Sequence, residues 1–397
     1  MKKKILFMIT TMDVGGVEKS LLSLLSVIPE DKYDVTILFL DRQGDFLDAI
    51  PDWVTIKEVS WYKKVWADII TPPPDTLHGY LKDKRYMKAF NFGLHYFLSR
   101  ELDNRYIYYR HIFKYVPNNA EQYDVAIAFQ GPTDMIDYYI AYKVKAIKKI
   151  SWVHFDVSKH YINANLYERL YKSFDRIFVV SNEAKKQLVT KIPGIVHKTE
   201  VFKNIVSESL IHELAREDIS FDKNYRGIRI VTVGRLSIEK GQDIAINVLA
   251  RLRNEGYEIR WYCIGEGPQR RKYETLIEDY GLTEDFILLG SKLNPYPYIA
   301  DSDMYIQPSR HEGYCIALAE ARCLKKPIIA TDFIGAHEQI INGENGWIVK
   351  ATEEELYEKM KFLIDYPQQQ KRLRRNLSKT EIDTSAEVGK LIDYIKV

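Results

Sequence analysis

The chain has 397 residues, 46% of them hydrophobic and 28% charged, which suits a soluble globular protein long enough for two domains. A net charge of +2 gives no case for nucleic-acid binding. Three cysteines, Cys263, Cys315 and Cys323, exclude a disulfide framework and fit a reduced, cytoplasmic compartment.

The opening reads as strand, glycine turn and helix. Residues 4–10 are a continuous apolar run, the pattern of a strand buried on both faces. The run is too short for a signal peptide, and no later stretch approaches the ~20 apolar residues of a membrane span. Gly15 and Gly16 follow, then a helical pattern over 17–28 that stops at Pro29. Residues 33–40 are the next strand, completing a βαβ unit. Residues 60–120 break the rhythm with three consecutive prolines, Pro72 to Pro74, and a helix-like stretch rich in Tyr, Phe, Lys and Arg. Strands resume at 123–129, 148–154 and 176–181. The charged, weakly periodic segment 206–227 reads as a linker. A second series follows: a strand at 229–234, a helix from Gly241 to Arg253, a strand at 258–265 and further alternation through FILLG, MYIQPS, PIIATD and GWIV. The pattern predicts two doubly wound α/β domains: residues 1–204, a linker at 205–227, and residues 228–380. The helical segment within 381–397 is expected to return to the first domain.

The most specific chemical feature is the run 310–321, with Glu312 and Glu320 eight positions apart. Glu312 falls in a turn after a strand, and Glu320 in the second turn of a helix starting near Cys315. At 1.5 Å per residue the pair spans on the order of 10 Å, enough to hold two ends of one elongated ligand. The backbone N–H groups of Gly313, Tyr314 and Cys315 at the helix start are suited to bind oxygens. The plainer alternative is a capping glutamate plus a solvent-facing one. A second feature is residues 233–246, where Arg235 and Lys240 lie between a strand end and a helix. Two cations on one βα loop suit a diphosphate, and they stabilise negative charge on a departing nucleotide diphosphate. Alone, they would pass for solvated surface cations. The glycine turn at 15–16 lets backbone approach an anion at a helix start, but it carries neither dinucleotide nor P-loop spacing. Asp301 and Asp303 read as a turn before a strand, and residues 265–268 as a tight strand-to-helix turn.

Together these residues resemble glycosyltransferase family 4, the retaining group with two Rossmann-like domains facing a cleft, the GT-B fold. The resemblance is strongest over 228–350 and weakest over 60–120. It implies that Glu312 contacts the donor sugar and Glu320 the ribose, and that Arg235 and Lys240, flanked by Gly234 and Gly241, hold the diphosphate. Gly15 and Gly16 match the turn near the phosphates and acceptor, His154 a donor-sugar histidine, and the backbone at Ser291 and Lys292 the base site. Tyr314 and Cys315 depart from the commonest residues at their positions, which leaves the sugar open. Cys315 is expected to be a pocket wall. The implied activity is retaining transfer of a hexose or N-acetylhexosamine from a nucleotide diphosphate sugar, UDP-sugar favoured, to a saccharide or lipid-linked acceptor. Cell-surface polysaccharide or glycolipid assembly is the implied setting, with no metal or other cofactor. An epimerase or phosphorylase of the same fold, and a non-catalytic partner subunit, are the alternatives.

The first half is basic: residues 1–203 hold 30 Lys and Arg against 24 Asp and Glu, the remainder 27 against 31. Residues 60–115 contribute 14 aromatics interleaved with cations. They suit either a helical cover for the first domain or a peripheral contact with the cytoplasmic membrane face.

Overall fold

The computed structural model describes residues 2–155, 157, 161–218, 225–380 and 382–396. The chain runs β1 (Lys3–Ile9), α1 (Gly16–Leu25), β2 (Tyr33–Phe39) and β3 (Thr55–Glu58), then four helices: α2 (Tyr62–Ile70), α3 (Pro73–Lys82), α4 (Tyr86–Glu101) and α5 (Arg105–Phe113). Alternation resumes with β4 (Gln122–Gly131), α6 (Asp134–Lys143), β5 (Lys145–Val153), α7 (Ala164–Tyr171), β6 (Arg176–Val179), α8 (Asn182–Lys191) and β7 (Thr199–Val201). After α9 (Glu208–Leu214) come β8 (Ile228–Val233), α10 (Gln242–Asn254), β9 (Ile259–Ile264), α11 (Arg270–Asp279) and β10 (Phe286–Leu288). The series continues with α12 (Tyr296–Asp301), β11 (Met304–Gln307), α13 (Ile316–Cys323), β12 (Ile328–Thr331), α14 (Ile334–Gln339) and β13 (Trp347–Val349). Three helices end it: α15 (Glu353–Asp365), α16 (Pro367–Leu377) and α17 (Val388–Lys396).

Two compact units result. One comprises Met1–Asp13, Ile28–Phe202 and Lys390–Val397; the other comprises Val14–Val27 and Lys203–Gly389. The helix α1, early in the sequence, thus groups with the later residues. The segment expected to be a linker contains α9, capped by the Ser207 hydroxyl accepting from Leu210 N–H; its residues 219–224 lie outside those described.

The first unit is built on a seven-stranded sheet of order β3-β2-β1-β4-β5-β6-β7, with every pairing parallel. Its central strands are apolar on both faces, as helices on either side require: Leu6, Phe7 and Met8 are fully buried, as are Ala126, Ile127 and Ala128. The strand β3 is different. Its four residues are half-buried or exposed, as befits an edge. Residues 60–115 form four helices, α2 to α5. Pro73 sits in the first turn of α3, where a missing N–H costs nothing. The aromatics divide between two environments. Trp61, Tyr80, Phe92, Tyr108, Tyr109 and Phe113 join the core, while Tyr86, Phe90, Phe97 and Tyr115 are exposed. The helix α17 belongs to this unit, where Lys3 Nζ donates to Ile395 O at 2.6 Å and Lys148 Nζ to Tyr394 O at 2.6 Å.

The second unit has a six-stranded parallel sheet of order β10-β9-β8-β11-β12-β13. Trp261 is fully buried there, and its indole donates to Thr232 Oγ1 at 2.9 Å. The helix α10 turns Ile244, Val248 and Leu252 inward, each fully buried aliphatic side chain contributing roughly 1.5–3 kcal/mol. Among the described residues no helix is long and apolar enough to cross a membrane.

Candidate active site

In the second unit the strand order reverses between β8 and β11, which lie side by side. Loops leaving the carboxyl ends of parallel strands diverge at such a point and leave room for a ligand. The loop after β8 carries Arg235 and Lys240, and the loop after β11 carries Glu312. The sequence therefore brings its two most specific motifs to neighbouring strand ends.

The backbone around Arg235 is fixed from two sides. Gly234 N–H donates to Ile264 O at 2.9 Å and Leu236 N–H to Glu266 O at 3.0 Å. The buried Gln242 side chain donates to Arg235 O at 2.9 Å. The turn at 265–268 is thus a brace for this loop. The Arg235 side chain is exposed and makes no salt bridge among the described residues. At Gly241 the backbone turns left-handed, with φ +70°, and a Cβ would overlap the Pro308 carbonyl oxygen. Glycine there lets the β8 and β11 loops close on each other. Arg310 N–H reinforces the closure, donating to Glu239 O at 2.7 Å, while its guanidinium pairs with Asp243 in two bonds of 2.7 and 2.8 Å.

Lys240 and Glu312 form an ion pair through Lys240 Nζ and Glu312 Oε1. Burial, the largest single influence, opposes the Lys240 charge, but Glu312 together with Cys315 and Glu239 outweighs it and holds the ammonium above its ordinary pKa. Glu312 Oε1 also accepts from the Ser309 hydroxyl at 3.0 Å, and Ser309 Oγ in turn accepts from Gln307 Nε2 at 2.8 Å. Gln307 Oε1 accepts from Tyr305 OH at 2.6 Å. Tyr305, Gln307 and Ser309 are fully buried. A chain of buried polar side chains along β11 thus aims one carboxylate. Ser309 and Gln307 were not singled out from the sequence. The signal was available: two polar residues at the end of an otherwise apolar strand need buried partners.

The helix α13 starts at Ile316, with Cys315 as its N-cap at φ +61°. Among the described residues the N–H groups of Gly313, Tyr314 and Cys315 donate to no protein acceptor. The loop is held from its carbonyl side. Gly335 packs against the Gly313 and Tyr314 oxygens, and Gln339 Nε2 donates to Tyr314 O. Burial pushes the Cys315 thiol well above its ordinary pKa, so it stays protonated.

Glu320 is only 2% exposed and is met by Lys19 Nζ at 2.7 Å. Tyr296 OH donates to it at 3.0 Å, and Lys19 lies 4.7 Å from the centre of the Tyr296 ring. Lys19 stands on α1, one turn past Gly15 and Gly16. Gly15, the N-cap, is extended, and Gly16 has open space where a Cβ would go. Neither glycine is needed for a left-handed turn. Lys19 and Tyr296 escaped the sequence reading because only tertiary packing joins positions 19, 296 and 320.

Lys292 is half-buried, two residues past Gly290, whose carbonyl accepts from Gly265 N–H at 2.9 Å. It follows the loop that adjoins the brace of Arg235. His154 lies in the first unit, just past β5. Its Nε2 is buried without a hydrogen-bond partner, and its ring lies 4.6 Å from Phe129 and 5.9 Å from Trp152. Burial pushes its pKa down to about 3, so the imidazole is neutral. Asp303 forms a turn, its carboxylate accepting from Arg229 N–H at 2.9 Å. Among the described residues no three His, Cys, Asp or Glu side chains gather as a metal site would require.

Residues 215–380 match the family model described as glycosyl transferases group 1. Among curated proteins, an uncharacterized glycosyltransferase of Methanocaldococcus jannaschii is 28% identical over 171 residues, 42% of this chain and 42% of its own length. A Campylobacter jejuni N-acetylgalactosamine-N,N'-diacetylbacillosaminyl-diphospho-undecaprenol 4-alpha-N-acetylgalactosaminyltransferase is 28% identical over 206 residues, 51% of this chain and 54% of its own. The chain thus spans about half the length of the curated relatives it matches. Solved structures match throughout. Anabaena HepE in complex with UDP and glucose superposes with a TM-score of 0.71 at 16% identity, covering 99% of this chain and 98% of that one. WaaG, a glycosyltransferase involved in lipopolysaccharide biosynthesis, gives 0.64 at 14%, covering 98% and 99%. The fold is GT-B. Within this GT-B chain the family match contains Arg235, Lys240, Lys292, Glu312 and Glu320, whereas Gly15, Gly16, Lys19 and His154 lie outside it.

Proposed function

We propose that the protein is a retaining glycosyltransferase. It moves a hexose or N-acetylhexosamine from a nucleotide diphosphate sugar, UDP-sugar foremost, to a saccharide or lipid-linked acceptor in cell-surface polysaccharide or glycolipid assembly. One observation carries the reading: Arg235, Lys240 and Glu312 stand on the adjoining loops of β8 and β11, where the strand order reverses. Arg235 and Lys240 neutralise the departing diphosphate, an interaction stronger in the transition state than in the ground state. Glu312, aimed by Ser309, and the N–H groups of residues 313–315 hold the sugar. Glu320 exchanges Lys19 for the ribose hydroxyls. Neutral His154 offers a hydrogen bond to the donor sugar. The Lys292 loop borders the base, and Gly15 and Gly16 leave room beside the phosphates. No metal takes part in this scheme.

The enzyme works on the cytoplasmic side of a membrane, seated through residues 60–115. Support comes from α4, whose Met87, Phe90, Leu94, Phe97 and Leu98 are exposed at helical spacing, with Lys84, Arg85 and Arg100 at its ends. Such a face suits an anionic bilayer.

Thermal shift against UDP-, GDP- and ADP-sugars selects the donor, and nuclear magnetic resonance of the product reads the anomeric configuration. A new glycosidic bond of retained configuration is expected. Epimerised donor, a sugar phosphate formed from inorganic phosphate, an inverted product, or indifference to every nucleotide sugar overturns the reading. Met87→Glu/Phe90→Glu is expected to lose flotation with phosphatidylglycerol vesicles; unchanged flotation removes the membrane seat.

A further inference from the structure

A cavity of about 620 Å³ opens between α4, α5 and α6 in the first unit. Its volume is that of a small-molecule site. His95, Arg110, His111, Lys114 and Lys143 line it, and no Asp or Glu does. Arg110 and Lys114 are exposed at its mouth, and neither makes a salt bridge among the described residues. The two acids of α6 are engaged elsewhere: Asp134 pairs with Arg105 at 2.7 Å, and Asp137 accepts from the Ser151 hydroxyl at 2.8 Å. Lys143 Nζ donates to Val116 O at 2.8 Å, which positions its charge.

The two imidazoles stack face to face, their centres 4.1 Å apart and their planes 23° from parallel. His95 Nδ1 lies 2.8 Å from Asn91 O and so carries the proton on that side. Tyr138 and Tyr142 pack edge to face at 4.9 Å, and Tyr106 lies 6.0 Å from each. Their rings give the cavity an apolar flank. Like charges gathered without a counter-charge repel one another, and an anion among them removes that cost. Guanidinium and ammonium groups with tyrosine and imidazole donors are the set that holds phosphate oxygens.

We propose that this cavity binds a phosphate ester, with Arg110 and Lys114 gripping the phosphate and the stacked His95 and His111 forming its floor. The ligand is either the headgroup of an anionic phospholipid or a free phosphate ester. The exposed face of α4 adjoins the site: Asn91 and His95 line the cavity, while Leu94 and Leu98 on the neighbouring turn of the helix surface are exposed.

The test uses the full chain, glycerol 1-phosphate as soluble probe, and vesicles of phosphatidylcholine with or without phosphatidylglycerol. The pair Arg110→Gln/Lys114→Gln is compared with Arg271→Gln/Lys272→Gln, an equal charge change on exposed residues of α11. Saturable glycerol 1-phosphate binding is expected by nuclear magnetic resonance, with His95 and His111 ring signals shifting together. The first variant weakens it by about tenfold or more and the second leaves it unchanged. Vesicle binding that falls in parallel assigns the site to a lipid headgroup; soluble binding alone assigns it to a free ester. Equal losses in both variants, or no shift of the two histidines, overturn the proposal.

Discussion

Lys19 Nζ sits 2.7 Å from Glu320 Oε1, an ion pair joining residues 301 positions apart around a carboxylate only 2% exposed. Lys19 itself is 18% exposed, so solvent screens part of the attraction. Lys19→Ala leaves the acid with Tyr296 as its remaining neutral donor. The expected cost is on the order of 2 kcal/mol, below the usual range for breaking a fully buried pair, or a fall in Tm of about 4–8 °C for the unit that contains it. Glu320→Ala abolishes the thermal shift given by the donor. The double variant recovers part of the stability lost by Lys19→Ala, and a double-mutant cycle by thermal melting reads the coupling. Strict additivity would show that the pair contributes nothing.

The two cations of the β8 loop separate by environment. Arg235 is exposed and makes no salt bridge among the described residues, so Arg235→Ala is expected to lower kcat by ~100-fold while stability moves by less than about 0.5 kcal/mol. Lys240→Ala strips Glu312 of its counter-charge and lowers both. Ser309→Ala removes a hydrogen bond to that carboxylate and lowers kcat/KM by about tenfold. Steady-state kinetics beside chemical denaturation distinguish the three patterns.

Gly241 combines a left-handed backbone with the Pro308 carbonyl where a side chain would begin. Gly241→Ala therefore pulls the β8 and β11 loops apart, at a cost on the order of 3 kcal/mol. At Gly256, φ is +91° but nothing crowds the position, so Gly256→Ala costs only the backbone strain, about 1 kcal/mol. Denaturant midpoints that rank the two the other way would dismiss the contact as the cause.

Burial drives His154 from its ordinary pKa of 6.5 to about 3. The neutral ring is the folded form, so its contribution to stability is complete above pH 6.5 and is lost as pH falls through about 3. The slope approaches 1.4 kcal/mol per pH unit within that window. His154→Gln, which does not titrate, is expected to flatten the stability profile between pH 6.5 and 3. Identical profiles for the two proteins would place the acid sensitivity elsewhere.

Most of the strands were legible because buried parallel strands read as unbroken apolar runs. The two that escaped, β3 and β7, are the short outer strands of the first sheet, where one flank stays open and the run loses its apolar character. The α9 helix escaped because only Ile211 of its seven residues is buried, too little for a period to emerge. At the site, Arg235, Lys240, Glu312 and Glu320 announce themselves by local spacing. Lys19 and Tyr296 do not, since their relation to Glu320 exists only once distant segments meet.

The unit that holds Glu320 is discontinuous in sequence, because it borrows Val14–Val27. A fragment cut to begin at Lys203 would keep the whole family match yet forfeit Lys19, exposing its deepest carboxylate to folding without a counter-ion. Splitting or shuffling the gene at that apparent boundary therefore calls for α1 to be grafted back, as an added peptide or a fused leader.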